Sequence, residues 1–120
     1  KEPDAKTCYI WAYNGQYPVA EISNADYSAI ETILGASNIS VFSTTYPDKS
    51  DVDSFIAPLK TGLPNAQITS FSFVPLIGMV SQTDAKGMTI YYEYDSFQRL
   101  KHIKDQNGNI IKSYDYHYKP

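Results

Sequence analysis

The stretch from Asp84 to Tyr118, DAKGMTIYYEYDSFQRLKHIKDQNGNIIKSYDYHY, decides the fold because it repeats a β-hairpin. Its Asp-x-x-Gly motif, Asp84 with Gly87, recurs 21 positions later as Asp105 with Gly108. Apolar positions recur at the same offset, in the pairs Phe71–Tyr92, Phe73–Tyr94 and Met79–Leu100. A fixed period of this length is typical of repeat proteins, in which each unit buries its apolar face on its neighbours.

The repeated turns have a stereochemical reason. An Asp-x-x-Gly sequence is typical of a type I turn whose fourth residue is left-handed, a conformation that Gly adopts without steric cost. Gln98 takes the place of this glycine in one turn, so we expect a positive φ there. We predict three structural turns: Asp84–Gly87, Asp95–Gln98 and Asp105–Gly108.

Alternating side chains predict strands between these turns. Tyr92 and Tyr94 fall on one face of a strand, and Glu93 and Asp95 fall on the other. Aromatic and β-branched residues suit such a pleated, half-buried surface. The spacing predicts a meander with strands near residues 67–74, 78–84, 88–95, 99–105 and 109–118.

The first residues predict another hairpin. Tyr9, Trp11 and Tyr13 are expected to share one strand face, and the Asn14–Gly15 pair predicts a tight turn. Since Pro18 follows closely, we expect the returning strand to start near residue 19.

Residues 25–62 interrupt the strand pattern and predict a two-helix insertion. The first helix has apolar residues at helical spacing up to Leu34, and Gly35 ends it. Ser50 or Asp51 is expected to cap the second helix, which Pro58 either kinks or shortens. Residues 37–47 fit a short strand or an irregular loop. Since an apolar helix face must cover something, we expect the insertion to fold back over the sheet.

These patterns predict a mainly β protein of the α+β class. The fold is an antiparallel β-meander of hairpin repeats, with the helical insertion around residues 25–62, in a single domain of residues 1–120. A chain of this length can bury roughly two-thirds of the surface that it exposes when unfolded.

Composition excludes several classes of function. The formal net charge of −3 argues against nucleic-acid binding, which needs a basic surface. No apolar run approaches the roughly 20 residues of a membrane-spanning helix, and no signal-peptide pattern is present. Cys8 is the single cysteine, so no internal disulfide can form.

The sequence predicts no catalytic, cofactor-binding or metal site, and therefore no enzyme. Asp48, Asp51 and Asp53 lack the Gly and Glu that a helix-loop-helix calcium site requires, so capping explains them better. Nothing in the sequence brings Cys8 together with His102 or the other histidine, at position 117. The turn aspartates are explained by local bonds to backbone amides.

The aromatic residues leave two interpretations open. The 11 tyrosines suit packing of a sheet, but amphipathic rings also suit a surface that binds carbohydrate or protein. The candidate ligand or partner surface consists of Trp11, Tyr13, Tyr92, Tyr94, Tyr114 and Tyr116.

The segment YYEYDSFQRLKHIKDQNGN resembles the YD-repeat (Rhs-type) family of large bacterial secreted and cell-surface proteins. The family unit is Tyr-x-Tyr-Asp-x-x-Gly-Arg-Leu followed by Asp-x-x-Gly-Asn. The matching residues here are Tyr92, Tyr94, Asp95, Arg99, Leu100, Asp105, Gly108 and Asn109. Gln98 departs from the family glycine, and the Asp-Pro-x-Gly-Leu motif of its self-cleaving members is not found in this sequence.

The resemblance implies a non-enzymatic structural module of a secreted or surface protein, with a sheet that forms part of a shell. Its partners would be the neighbouring repeats of a parent protein, of which this chain is expected to be a terminal piece. The exposed edge strands of such a piece predict self-association by strand addition. The alternative is a carbohydrate- or protein-binding surface module that uses exposed Trp and Tyr side chains.

Overall fold

A computed structural model describes residues 6–116, which form a seven-stranded antiparallel sheet with three helices. Each strand pairs with the next one along the chain, so the sheet order is β1 to β7 without a crossover. The predicted α+β class, mainly β, is confirmed. The strands are β1 (Thr7–Ala12), β2 (Tyr17–Ser23), β3 (Gln67–Val74), β4 (Gly78–Thr83), β5 (Thr89–Tyr94), β6 (Leu100–Asp105) and β7 (Ile110–Ser113).

The segment between β2 and β3 contains three helices, so the prediction of two helices is wrong. They are α1 (Tyr27–Leu34), α2 (Ala36–Phe42) and α3 (Lys49–Gly62). Gly35 separates the first two with a φ of +93°. Helix α2 replaces the expected strand or loop because Ile39 and Phe42, three residues apart, both pack against the core.

Helix α3 begins earlier than predicted. Its N-cap is Asp48, whose Oδ1 accepts a hydrogen bond of 2.9 Å from the backbone nitrogen of Asp51. The Asp51 side chain in turn accepts one of 3.1 Å from the backbone nitrogen of Asp48. This reciprocal capping box satisfies two amide groups that a helix leaves unpaired at its start. Pro58 lies inside α3 without ending it, and the helix continues to Gly62.

The helices fold back over one face of β1, β2 and β3. Ile10, Ala20 and Ile22 of the sheet are fully buried beneath them. The helix residues that complete this core are Ile30, Leu34, Val52, Ile56 and Leu59. Phe55 is only partly buried, and its ring stacks on Phe42 of α2 with a centroid distance of 4.1 Å.

Tyr13 leaves the face that it was expected to share with Tyr9 and Trp11. The turn begins at Tyr13 rather than at Asn14, and both residues have a φ of +57°. This left-handed backbone turns the Tyr13 ring into the core, where it is only 1% exposed. The predicted position of Tyr13 in a surface is therefore wrong.

The three Asp-initiated turns share one backbone geometry. Asp84, Asp95 and Asp105 each accept a hydrogen bond at the carbonyl oxygen from the amide three residues later, at 2.9–3.0 Å. The fourth residue is left-handed in every case, with φ values of +86° at Gly87 and Gly108 and +62° at Gln98. The positive φ expected at Gln98 is therefore present. The six predicted structural turn residues are Asp84, Gly87, Asp95, Gln98, Asp105 and Gly108.

The last strand is shorter than predicted and ends at Ser113. Tyr114 and Tyr116 follow it outside regular structure, and the predicted strand residues 117 and 118 lie outside the described part of the chain. The backbone nitrogen of Tyr114 still donates to the carbonyl of Lys101 at 2.9 Å. The chain therefore stays beside β6 although the strand has ended.

Successive turns alternate between the two ends of the sheet, as an antiparallel meander requires. The turns after β3 and β5 share one end and carry strongly exposed apolar residues, with Leu76 at 92% and Phe97 at 72%. The turns after β4 and β6 share the opposite end and carry Lys86, Gln106 and Asn107. Met88, which follows the β4 turn and is half exposed, is the large apolar residue of these two turns.

Candidate functional site

The aromatic residues predicted to form a binding surface do not converge. Trp11 is on β1, whereas Tyr92 and Tyr94 are on β5, about 19 Å away at the usual spacing of neighbouring strands. Trp11 is 43% exposed and contacts the exposed Tyr9, with ring centroids 6.2 Å apart. Since Tyr9 alternates with the buried Ile10, this pair lies on the face without helices.

Tyr94 and Tyr116 are occupied by hydrogen bonds within the chain. The Tyr94 hydroxyl donates to the carbonyl of Met79 at 2.8 Å, and burial raises the pKa of Tyr94. A Cβ atom at Gly78 would lie 2.9 Å from this hydroxyl, so glycine makes room for it. The Tyr116 hydroxyl donates to the carbonyl of Leu100 at 2.7 Å.

Cations cover the faces of the last two described tyrosines. The Arg99 guanidinium lies 4.2 Å from the centroid of Tyr116, and the Lys112 ammonium lies 5.2 Å from that of Tyr114. Such contacts contribute roughly 0.5–1 kcal/mol at exposed sites. These rings therefore help to hold the end of the described chain against β6.

The other side chains considered from the sequence lie apart. Cys8 is on the first strand and contacts the carbonyl of Ala25 through its Sγ at 3.5 Å. His102 is on the sixth strand, where its Nδ1 lies 3.4 Å from Oε1 of Glu93. The histidine at position 117 lies outside the described residues. Asp53 forms an ion pair of 2.7 Å with Lys49, and no metal-binding group of side chains occurs within residues 6–116.

On the face of the sheet that carries the helices, the buried side chains change from aliphatic on β1 to hydroxyl-bearing on β5. One row of paired residues crosses five strands: Ile10, Ala20, Ser70, Thr83 and Thr89. All five are buried, but the row passes from aliphatic to hydroxyl side chains. The hydroxyls of Thr83 and Thr89 bond each other at 2.8 Å, which satisfies them away from water.

A neighbouring row on the same face creates a depression. Ser72 of β3 pairs with Ser81 of β4, Ser81 pairs with Tyr91 of β5, and Tyr91 pairs with Lys104 of β6. The two buried serines share a short hydrogen bond between their hydroxyls. The small side chains of Ser72 and Ser81 lie next to the larger side chains of Tyr91 and Lys104. The surface of the sheet is therefore recessed on the side of the Tyr91 ring that faces β3 and β4.

This depression forms the floor of an open cleft of about 680 Å³. Asp48 and Lys49, at the start of α3, form one wall, and Gln106 and Gly108 of the β6–β7 turn lie at the opposite side. The helices pack mainly on the first three strands, and the cleft lies beside the start of α3, where that packing ends. Its volume is within the range of about 300–1,000 Å³ that is usual for small-molecule sites.

Two ion pairs border the cleft. Lys104 Nζ lies 2.9 Å from Oε2 of Glu93, and this bond lowers the pKa of the Glu93 carboxyl. Lys49 is paired with Asp53, and Asp48 caps α3. Asp105 also lines the cleft, so its carboxylates, Asp48, Glu93 and Asp105, outnumber its lysines, Lys49 and Lys104.

Tyr91 is the residue of this cleft that sequence reasoning missed. It alternates with Tyr92 and Tyr94 and so points to the other face of the sheet. The alternation itself was visible in the sequence. Which face would contain a cleft depends on how far the helices extend over the sheet, and no local pattern reports that.

Comparisons with known proteins give no match: no protein-family profile fits the sequence, and neither a curated protein nor a solved structure is significantly similar to it. None of the helices in residues 6–116 is long and apolar enough to cross a membrane, which agrees with the expectation from the sequence.

Proposed function

We propose that this chain is a non-enzymatic structural β-repeat module of a large secreted or cell-surface bacterial protein. In this proposal it is of the YD-repeat type, and neighbouring repeats of the parent protein continue its sheet. The observation that carries the proposal is that burial of side chains ceases partway along the meander. Within residues 6–116, no residue after Thr89 is buried on either face of the sheet.

A hairpin without buried side chains is marginally stable by itself in water. The hairpins formed by β5, β6 and β7 therefore depend on pairing with the strand before them, and each could support the next in the same way. The three Asp-initiated turns support this interpretation, because they repeat one geometry at the ends of these strands. Such repetition is expected where units are added to a sheet.

The proposal is tested by adding a unit. A copy of residues 84–104 is inserted after Lys104, which adds two turns and two strands in the register of the 21-residue period. We expect the longer chain to unfold cooperatively, with amide hydrogen exchange in the inserted strands slowed by more than about tenfold relative to an unfolded peptide. An insert of the same composition in scrambled order is the control and should exchange as a loop. If both inserts exchange equally fast, the meander is not extendable and the proposal fails.

A second candidate is a surface module that binds carbohydrate or protein through exposed aromatic side chains. The observation that favours it is the contact between Tyr9 and Trp11 on the face without helices. Intrinsic fluorescence of Trp11, the single tryptophan, reports on this surface directly. Binding at the pair should shift the emission, and a Tyr9→Ala variant should weaken that response.

A further inference from the structure

We propose that the end of the sheet formed by the β3–β4 and β5–β6 turns docks on the surface of a zwitterionic phospholipid bilayer. The residues that contact the lipid are Leu76 and Phe97, one at the tip of each turn. This inference goes beyond the structural role proposed above and does not depend on it. It rests on the backbone and exposure of the two tips, on the size of their apolar surface and on their charge.

Leu76 is unfavourable at its position for two independent reasons. Its side chain is 92% exposed, and its φ is +69°. The amide of Ile77 donates to the carbonyl of Val74 at 3.0 Å, with Pro75 second in the turn, as in a type II turn. The third position of such a turn favours Gly or Asn, because a Cβ atom is strained at positive φ. A contact that removes Leu76 from water offsets the first of these two costs.

Phe97 forms the second tip. It is 72% exposed, and its amide donates to the Asp95 carboxylate at 2.8 Å, which fixes the turn. The two turns are two strands apart, a distance of about 10 Å. Neither Leu76 nor Phe97 lines the cleft beside Tyr91. The tips are therefore neighbouring projections from one end of the sheet and do not form the walls of that cleft.

The size of this apolar surface favours a bilayer over a protein partner. The two turns expose four large apolar residues: Val74, Leu76, Ile77 and Phe97. A stable protein–protein interface uses about 20–30 residues on each side. A bilayer surface is fluid, so it admits a few projecting side chains without a preformed pocket, and its affinity follows the apolar area that it buries. Neighbouring repeats would leave this end uncovered, because strand pairing extends the sheet sideways.

Charge selects a zwitterionic surface. The charged residues of the two turns, residues 75–77 and 95–99, are Asp95 and Arg99, which pair at 2.9 Å. The tips therefore carry no net charge. Asp48, at the start of α3, follows the loop that contacts Tyr13 at the same end, and the formal net charge of the chain is −3. An anionic lipid surface would repel such a chain.

The experiment is sedimentation of the full chain with phosphatidylcholine vesicles. Two small apolar tips should bind more weakly than a myristoyl chain, whose association constant is about 10⁴ M⁻¹, so we expect half of the protein to be bound at about 1–5 mM lipid. Vesicles in which phosphatidylglycerol replaces part of the phosphatidylcholine should bind less at low salt. A spin-labelled lipid should broaden the amide signals of Leu76 and Phe97, but not those of Lys86 and Asn107 at the opposite end.

Three variants test the tips. Leu76→Asn should weaken the association by about fivefold or more because the apolar side chain is lost, and it should not destabilise the turn, since Asn tolerates a left-handed backbone. Phe97→Ser tests the second tip independently and should have an effect of similar size. Met88→Ser is the matched control: it removes a half-exposed apolar side chain from the opposite end and should leave the association within about twofold.

Four outcomes would overturn the inference. They are no association with phosphatidylcholine up to about 10 mM lipid, association that requires the anionic lipid, equal losses in Met88→Ser and Leu76→Asn, and self-association of the chain through the tips. Light scattering detects the last of these as a mass that Leu76→Asn lowers. None of them bears on whether an inserted repeat unit folds, so the failure of this inference and the failure of the structural role are distinguishable.

Discussion

The phenolic oxygen of Tyr13 lies 3.1 Å from the backbone nitrogen of Phe73, 60 residues further along the chain, and accepts its hydrogen bond. The same hydroxyl donates to the carbonyl of Pro47, in the loop before α3. The ladder between β2 and β3 extends only as far as Ala20 and Ser70. The Tyr13 side chain therefore connects the first hairpin, the helical segment and β3 where direct strand pairing has ended.

Tyr13→Phe should destabilise the protein, because it leaves the N–H of Phe73 and the carbonyl of Pro47 without this partner. We expect the free energy of unfolding to fall by about 1–3 kcal/mol, as measured by chemical denaturation. Tyr46→Phe is the matched control: it removes a hydroxyl that bonds the exposed Asn14 side chain at 2.9 Å, and should change stability by less than about 0.5 kcal/mol. Equal effects of the two changes would show that the Tyr13 hydroxyl has no special role.

Gln98→Gly should stabilise the protein slightly. A left-handed backbone costs a non-glycine residue about 1 kcal/mol, and the greater freedom of glycine in the unfolded chain offsets part of this gain. The reverse change, Gly87→Gln, should destabilise by about 1 kcal/mol through strain alone, because a Cβ at Gly87 meets no atom within 4 Å. Lys86→Gly, at a position without positive φ, is the control and should lower the melting temperature. A lower melting temperature for Gln98→Gly would contradict the prediction.

The turn aspartates should make stability depend on acid. Backbone hydrogen bonds from Arg99 and Asn109 hold the pKa of Asp95 and of Asp105, respectively, below the ordinary value for aspartate. A carboxyl whose pKa is lower in the folded state stabilises the fold above its unfolded pKa, and this stabilisation is lost as the pH falls through the folded value. We expect a constant melting temperature above about pH 5 and a decrease below about pH 4.

Asp105→Asn separates this effect from general acid denaturation. The amide keeps an acceptor oxygen in the turn but does not titrate, so the decrease below about pH 4 should become smaller. Glu31→Gln removes a carboxylate on α1, outside the turns, and should leave the decrease as large as before. An unchanged acid profile for Asp105→Asn would contradict the prediction.

The last strand should recruit a second copy of the chain. β7 pairs with β6 on one side, and both Ile110 and Ile111 are exposed. Within residues 6–116 no strand pairs with the other side of β7, and unpaired backbone groups beside apolar side chains favour strand addition. Light scattering after size exclusion should therefore show a mass that rises with concentration, and Ile111→Lys should reduce this rise. Val41→Lys, at an exposed position on α2, is the control; a monomer up to about 1 mM would refute the prediction.

The hairpins could be predicted from the sequence because their determinants are local. An Asp and a left-handed residue three positions later define the turn, and alternation defines the strands. Helix α2 was missed because its sequence, ASNISVF, is rich in residues that favour turns and caps. Its structure depends on Ile39 and Phe42 finding the core, which is a tertiary effect.

The candidate sites were harder to predict than the fold. Alternation placed Tyr13 on a face with Trp11, but a turn that starts one residue earlier directs the ring inwards. Tyr91 could not be assigned to a cleft from the sequence, because its surroundings depend on where the helices end above the sheet. In both cases the decisive contacts come from residues more than 30 positions away or from where the helices end.

Because the turns alternate between the two ends of the sheet, residues at one end are separated from residues at the other by the length of a strand. A change at Leu76 or Phe97 alters one end, whereas a change at Lys86 or Asn107 alters the other, and neither touches the strand pairing between them. The surface chemistry of one end of the sheet can therefore change without altering the opposite end or the strand register.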